Sequence, residues 1–299
     1  MSVTTMRKAC LPMALASLLV ALLTVLPFSM AGAAEDREWR EIRPGMELRR
    51  ERHQVAGVRK PITLQVLRAD PAEVEIAVVD TYSTVSARGV KYPSYSLRDL
   101  ARVTDALALI NGGFGQSTYY PVPAGLVVQD GRQKSPLNKA SRTQSGVFCM
   151  PAAERRTASA TTRTTAGASG PPGKARIVNK GDYRPGLCRQ ALQSGPKIVE
   201  YDGENGISRP ARAFERSAVC VDGAGRVLFV QASRVSLFHL ADILRAPEAA
   251  GGYGCQAALN LSGDIESGLL YTTDGKLQSV GEVDAPVASA IAVLPKRGG

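Results

Sequence analysis

The stretch Ala106-Leu107-Ala108-Leu109-Ile110-Asn111-Gly112-Gly113-Phe114 runs an apolar segment straight into Asn and two glycines. Ala257-Ala258-Leu259-Asn260-Leu261-Ser262-Gly263 repeats that design near the other end of the chain. A short apolar run bounded by turn residues reads as a buried strand. Where such a strand ends in Asn and Gly, a polar amide and bare backbone N–H groups stand at the sheet edge, open to close approach by a ligand. The plainer reading is a pair of tight turns, since both residue types tolerate positive φ.

The segments around these two runs are also strand-like. Ile62-Thr63-Leu64-Gln65-Val66-Leu67 alternates and meets Arg68-Ala69-Asp70-Pro71, and Val74 to Val79 follows as its expected antiparallel partner. Four Asp-Gly pairs, Asp130-Gly131, Asp202-Gly203, Asp222-Gly223 and Asp274-Gly275, sit among strand-like residues and signal hairpins. Helix signals are few. Ser96-Leu97-Arg98-Asp99 has the form of a capping box, and Ser236 opens a second helix whose Leu237, Leu240, Ala241 and Leu244 share one face. The expected fold class is therefore α+β, a single domain on a mixed, mostly antiparallel β-sheet with few helices.

The N-terminus carries Arg7 and Lys8, then an apolar run from Leu11 to Phe28, then small residues to Ala34. This is the pattern of a secretory signal peptide over 1–34, with no membrane span left after its removal. A polar lead-in follows at 35–61, including Arg49-Arg50-Glu51-Arg52-His53, and the domain itself is expected over 62–299. Within it, 151–174 turns to Thr, Ser, Ala, Gly and Pro and reads as a flexible loop, because it has too little apolar surface to offset its ordering entropy.

Removing the leader removes Cys10 and leaves Cys149, Cys188, Cys220 and Cys255, an even set in a chain bound for the periplasm or the exterior. Three pairings are possible, and Cys149 with Cys188 and Cys220 with Cys255 close the shorter loops. Zinc finds no C-x-x-C spacing, and the chain has only two histidines, His53 and His239. The formal net charge is +10, two of it in the leader, which favours anionic partners such as phosphate-bearing glycans. Nucleic acid is not expected of an exported chain without a helix-turn-helix or RNA-binding signature.

Neither histidine lies near a Ser or Cys motif, which argues against a nucleophile–imidazole triad. No G-x-S-x-G, H-E-x-x-H or Walker-type loop is present. Asn, Gly, Arg and carboxylates remain, a set suited to glycosyl transfer to water with a phosphate ester as leaving group. Arg216 and Arg212 are candidates to grip that phosphate by paired hydrogen bonds. No cofactor or metal is called for.

Asn111-Gly112-Gly113-Phe114, Pro123-Ala124-Gly125-Leu126-Val127 with Asp130-Gly131, Gly146-Val147-Phe148, Gln193-Ser194-Gly195-Pro196, Arg216-Ser217-Ala218 and Ala258-Leu259-Asn260-Leu261-x-Gly263 occur in one order. In that order they resemble the phosphodiester glycosidase domain, over roughly Ile62 to Leu294. The resemblance implies a hydrolase of sugar 1-phosphodiesters, acting on a phosphorylated glycan or sugar phosphate. Carried over residue by residue, it implies a site of Asn111, Gly112, Gly113, Gln193, Ser194, Gly195, Arg216, Asn260 and Gly263. Arg216 would hold the phosphate, and the amides of Asn111 and Gln193 would hold sugar or phosphate oxygens. Ser262 stands where the family motif has Asp. A hydroxyl does not replace a carboxyl as an acid at neutral pH without an activating partner. Asp264, and after it Glu266, are the nearby carboxylates expected to take that role. The alternative is a glycan- or phosphate-binding envelope protein that has lost turnover. Tyr119 and Tyr120 are candidates to stack on a sugar ring.

Overall fold

In the computed structural model, residues 38–117, 121–151 and 174–296 are described, and they lie in one unit of the chain. The leader, the loop at 151–174 beyond its ends, and Tyr119 and Tyr120 fall outside the described residues. The strands form three sheets, and every pairing between them is antiparallel. The fold class is α+β as expected, but the one mixed sheet is instead three antiparallel ones.

The seven-stranded sheet runs, in spatial order, Arg40–Arg43, Met46–His53, Ile62–Ala69, Val227–Val235, Phe214–Asp222, Cys255–Asn260 and Lys197–Val199. A five-stranded sheet runs Arg132–Ser135, Val127–Gln129, Cys188–Ser194, Gly146–Pro151 and Arg176–Asn179. The other five-stranded sheet runs Lys276–Gly281, Gly268–Thr273, Ala108–Asn111, Ser289–Pro295 and Val74–Asp80. One buried cluster draws Leu67, Phe229 and Leu259 from the first sheet, Phe148 and Leu192 from the second, and Ile110 and Ile291 from the third. The sheets thus share a core, which is why their strands are buried on both faces and lack clean alternation.

Helix Leu237–Arg245 covers the far face of the seven-stranded sheet through Leu240, Ala241 and Leu244. Ser236 caps it, its Oγ accepting from His239 N. Helix Leu97–Val103 begins at Ser96, whose Oγ accepts from Asp99 N, while the Asp99 carboxylate reaches back to Ser94 N at 2.8 Å. A third, short helix at Thr81–Ser86 is capped by Asp80.

Three expectations need correction. The lead-in is sheet: Met46–His53 pairs with Ile62–Ala69 from Met46↔Ala69 to His53↔Ile62. Two of its charges are buried because they meet each other: Arg49 ion-pairs with Glu51 and lies over the Tyr253 ring, and Tyr253 OH donates to Glu51 at 3.1 Å, while Arg50 and Arg52 stay exposed. A string of charges reads as solvent-facing only until its partners are known. Secondly, Val74–Asp80 does not pair with Ile62–Ala69 but with Ser289–Pro295, in a different sheet. Both strands are buried almost throughout, and such strands do not advertise their neighbours. Finally, Asp202-Gly203 closes a loop rather than a hairpin of strands. The other three pairs mark hairpins as expected: Asp130-Gly131 and Asp274-Gly275 make two-residue turns with positive φ at both residues. Asp222-Gly223 opens a longer turn between Phe214–Asp222 and Val227–Val235, the Asp222 Oδ1 accepting from Ala224 N and Arg226 N at 2.9 Å.

Cys149 bonds Cys188 and Cys220 bonds Cys255, each pair bridging neighbouring strands and buried. The second closes a separation of 35 residues. Constraint of the unfolded chain by such a loop amounts to about 3–4 kcal/mol. Chemical denaturation with and without reductant should therefore show a loss of that order for a Cys220→Ala/Cys255→Ala variant, which reductant lowers less than it lowers the parent.

Candidate active site

Three strands, one from each sheet, end within hydrogen-bonding reach of a common junction: Ala108–Asn111, Cys188–Ser194 and Cys255–Asn260. The Asn111 carboxamide donates to Ser262 O at 2.6 Å and accepts from Gly268 N at 3.1 Å. Asn260 donates to Gly195 O at 2.9 Å and to Leu261 O at 2.8 Å. The backbone closes the same gap, with Ser262 N bonded to Gly112 O and Asn260 N to Pro196 O. The two strand ends read from the sequence are therefore neighbours.

The glycines are there because nothing larger fits. A Cβ on Gly112 would lie 2.5 Å from Ser289 Oγ, and one on Gly113 would lie 2.4 Å from Gln193 O. On Gly195 it would meet Thr143 O at 2.2 Å. These close approaches hold the three sheet ends together. Ser289, which accepts from Gly113 N at 3.2 Å and whose carbonyl accepts from Gly112 N at 2.7 Å, escapes sequence reading because a serine inside an apolar strand carries no motif.

The amides are spent on the framework. Asn111 is 0% exposed and Gln193 1%. Gln193 Oε1 accepts from Leu126 N and Asn138 N, and its Nε2 donates to Asn138 O and Gln144 O. An amide with four such bonds has no capacity left for a sugar. Three buried atoms here have no hydrogen-bond partner among the described residues: Asn260 Oδ1, Ser194 Oγ and Gln144 Oε1. Buried polar atoms are rarely left so.

The charged candidates Arg216, Asp264 and Glu266 are less buried than these amides. A Cβ on Gly263 would sit 2.9 Å from Glu215 O and 3.8 Å from Arg216 Cδ, so the Ser262-Gly263 turn runs beside Arg216. The half-buried Arg216 makes only long bonds, 3.4 Å to Val235 O and 3.5 Å to Arg212 O, and lies over the Phe214 ring. Among the described residues it forms no ion pair within 4.0 Å. Burial lowers its pKa, and the charge of Asp264 acts in the opposite direction.

Asp264 opens a short 3-10 turn to Glu266 with positive φ and is exposed. Glu266 is half-buried, and the Ser262 hydroxyl donates to its Oε2. Burial raises the Glu266 pKa above the usual carboxyl value, against a smaller lowering by that hydrogen bond. A carboxyl with a raised pKa, a hydroxyl beside it and a guanidinium without an ion pair among the described residues form a set suited to proton donation and anion binding.

The family model of phosphodiester glycosidase matches residues 104–294. Among solved structures, the zebrafish N-acetylglucosamine-1-phosphodiester alpha-N-acetylglucosaminidase catalytic domain, auto-inhibited by its pro-peptide, aligns with a TM-score of 0.58 and 11% identity, covering 86% of each chain. A Burkholderia pseudomallei protein described as exported aligns with a TM-score of 0.51 and 14% identity, covering 81% of this chain and 76% of that one. No curated protein matches in sequence. At these identities the two structures attest the fold.

The crowding at the junction predicts an asymmetry between glycines. Gly112→Ala should cost roughly 2–3 kcal/mol through forced displacement of Ser289. Gly131→Ala, at φ +75° with nothing within 4 Å, should cost about 1 kcal/mol of backbone strain. Urea midpoints for the two purified variants measure the difference, and equal losses would remove the steric account of the junction.

Proposed function

We propose that this chain, which belongs to the phosphodiester glycosidase family, is an exported hydrolase that cleaves a sugar 1-phosphodiester in envelope or extracellular glycans. The observation that carries the reading is Arg216, a half-buried guanidinium that forms no ion pair among the described residues, beside the turn that carries Asp264 and the half-buried Glu266, whose pKa burial raises. Export is supported by the leader pattern of 1–34, the two disulfides and the likeness to an exported Burkholderia protein. Among the described residues no helix is long and apolar enough to cross a membrane.

In this reading Arg216 binds the non-bridging phosphate oxygens, where a planar pair of N–H donors matches the anion. Glu266 donates its proton to the bridging oxygen as the bond from that oxygen to the anomeric carbon breaks. Water supplies the hydroxyl to that carbon and releases a proton to solvent, leaving free sugar and a phosphomonoester. Ser262 cannot do the work of the family's Asp, but it orients Glu266, so the carboxyl is supplied from four residues on. Asp264, the first choice from sequence, is exposed and acts on the field around Arg216. Asn111, Gln193 and the glycines hold the site in shape.

A glycan-binding protein without turnover is the second reading, favoured by Ser262 in place of Asp. Incubation with a sugar 1-phosphodiester separates the two: hydrolysis yields one free sugar and one phosphomonoester per event, whereas saturable binding with intact ligand establishes the second.

If Glu266 is the acid, Glu266→Gln should lower kcat by about 10²- to 10⁴-fold. Because a donor works in its protonated form, kcat/KM of the parent should fall as pH rises through the raised pKa of Glu266, and that limb should vanish in the variant. Arg216→Ala should chiefly weaken binding of the charged substrate, by roughly tenfold or more. An Asp264→Asn variant more impaired than Glu266→Gln would transfer the acid role to Asp264.

A further inference from the structure

Beside the cleft lies a cavity of about 640 Å³ whose chemistry the reaction does not use. Leu137, Tyr183 and Pro185 give it apolar surface, and Lys139, Lys180 and Arg184 give it charge. No Asp or Glu lines it. Nor does any of the three cations form an ion pair among the described residues. Lys180 Nζ donates to Lys139 O and Ser141 O, and Arg184 donates to Gly181 O and Tyr183 O, so both positive charges end on neutral carbonyls. The nearest acid in sequence, Asp182, is engaged by Asn179 at 3.1 Å. Three cations gathered around an apolar wall without a counter-charge repel one another, and an anion relieves that repulsion.

The cavity and the cleft are built on the same segment. Asn138 and Gln144 hold Gln193. Thr143 and Ser145 press against Gly195, while Lys139 faces the cavity and Lys180 N bonds Ser145 O at 2.9 Å. The segment that packs on Gln193 and Gly195 thus also carries Lys139 of the basic, partly apolar hollow. We infer that the cavity is a second subsite, which binds an anionic unit of the glycan on the aglycone side of the scissile phosphodiester. Sugar rings offer apolar faces to Leu137 and Pro185, and a phosphate or carboxylate on the same unit accepts from the three cations.

This inference rests on the proposed function, and the test keeps the two apart. A Lys139→Gln/Arg184→Gln variant removes two exposed charges without touching the cleft, and Lys180 stays because it tethers the loop. Two substrates are compared: a sugar 1-phosphodiester with a methyl aglycone, and a phosphodiester-linked oligosaccharide several units long. For the long substrate KM should rise roughly tenfold, reflecting two partly solvated charge-assisted contacts, with kcat unchanged. For the methyl substrate both constants should stay as in the parent. Equal KM for the long substrate in parent and variant, or equal losses on both substrates, would overturn the subsite. If neither substrate is turned over by the parent, the hydrolase reading fails. Calorimetric binding of the long oligosaccharide, with its dephosphorylated counterpart as control, then decides the cavity alone: a tenfold weaker Kd in the variant for the charged ligand only supports it, and no difference refutes it.

Discussion

The carboxamide of Asn111 is the constraint on which the cleft depends. Its two bonds reach residues 151 and 157 positions away, joining the end of one sheet to the turn that carries the carboxyls. Net of competition with water each such bond stabilises by about 1 kcal/mol, but leaving Ser262 O or Gly268 N buried and unpaired costs about 1–3 kcal/mol. The asymmetry matters more than the sum. A side chain of another shape would not merely weaken the junction; it would strand polar groups in a dry interior and force the turn out of place. Asn260 performs the same service between the first and second sheets.

Around this fixed frame the electrostatics are deliberately incomplete. Elsewhere the molecule pairs its buried charges: Arg49 with Glu51, Arg68 with Glu47 and Glu248, Arg226 with Asp222. Arg216 forms no ion pair among the described residues, and burial raises the pKa of Glu266 above the usual carboxyl value. A half-buried cation with only long carbonyl contacts is unfavourable unless a substrate completes it. The cost is borne by the packing of three sheets on one core.

The sequence made the apolar strands and their terminal Asn-Gly steps legible, because a buried strand and a tight approach each demand particular residue types. It also carried the disulfide pairing, since the shorter loops join neighbouring strands. What it could not convey was how polar groups are spent. Gln193 reads as a ligand-binding amide and is consumed by four backbone groups; Arg49 and Glu51 read only as part of a polar lead-in and lie inside. Both depend on partners distant in the chain, which leave no periodic trace. Which of Asp264 and Glu266 the turn buries is illegible for the same reason, as two carboxyls two residues apart differ only in what the turn covers.

The 3-10 turn from Asp264 to Glu266 rests on the junction but takes no part in building it: neither of those side chains bonds to Asn111, Asn260 or Gln193. Framework and reagent are thereby separable under mutation. A lineage can exchange side chains on this turn while the scaffold's amides and glycines stay fixed. Novelty in this fold is then cheapest in three residues of a largely exposed turn, and drift there alters the surface a ligand meets long before it alters whether the protein folds.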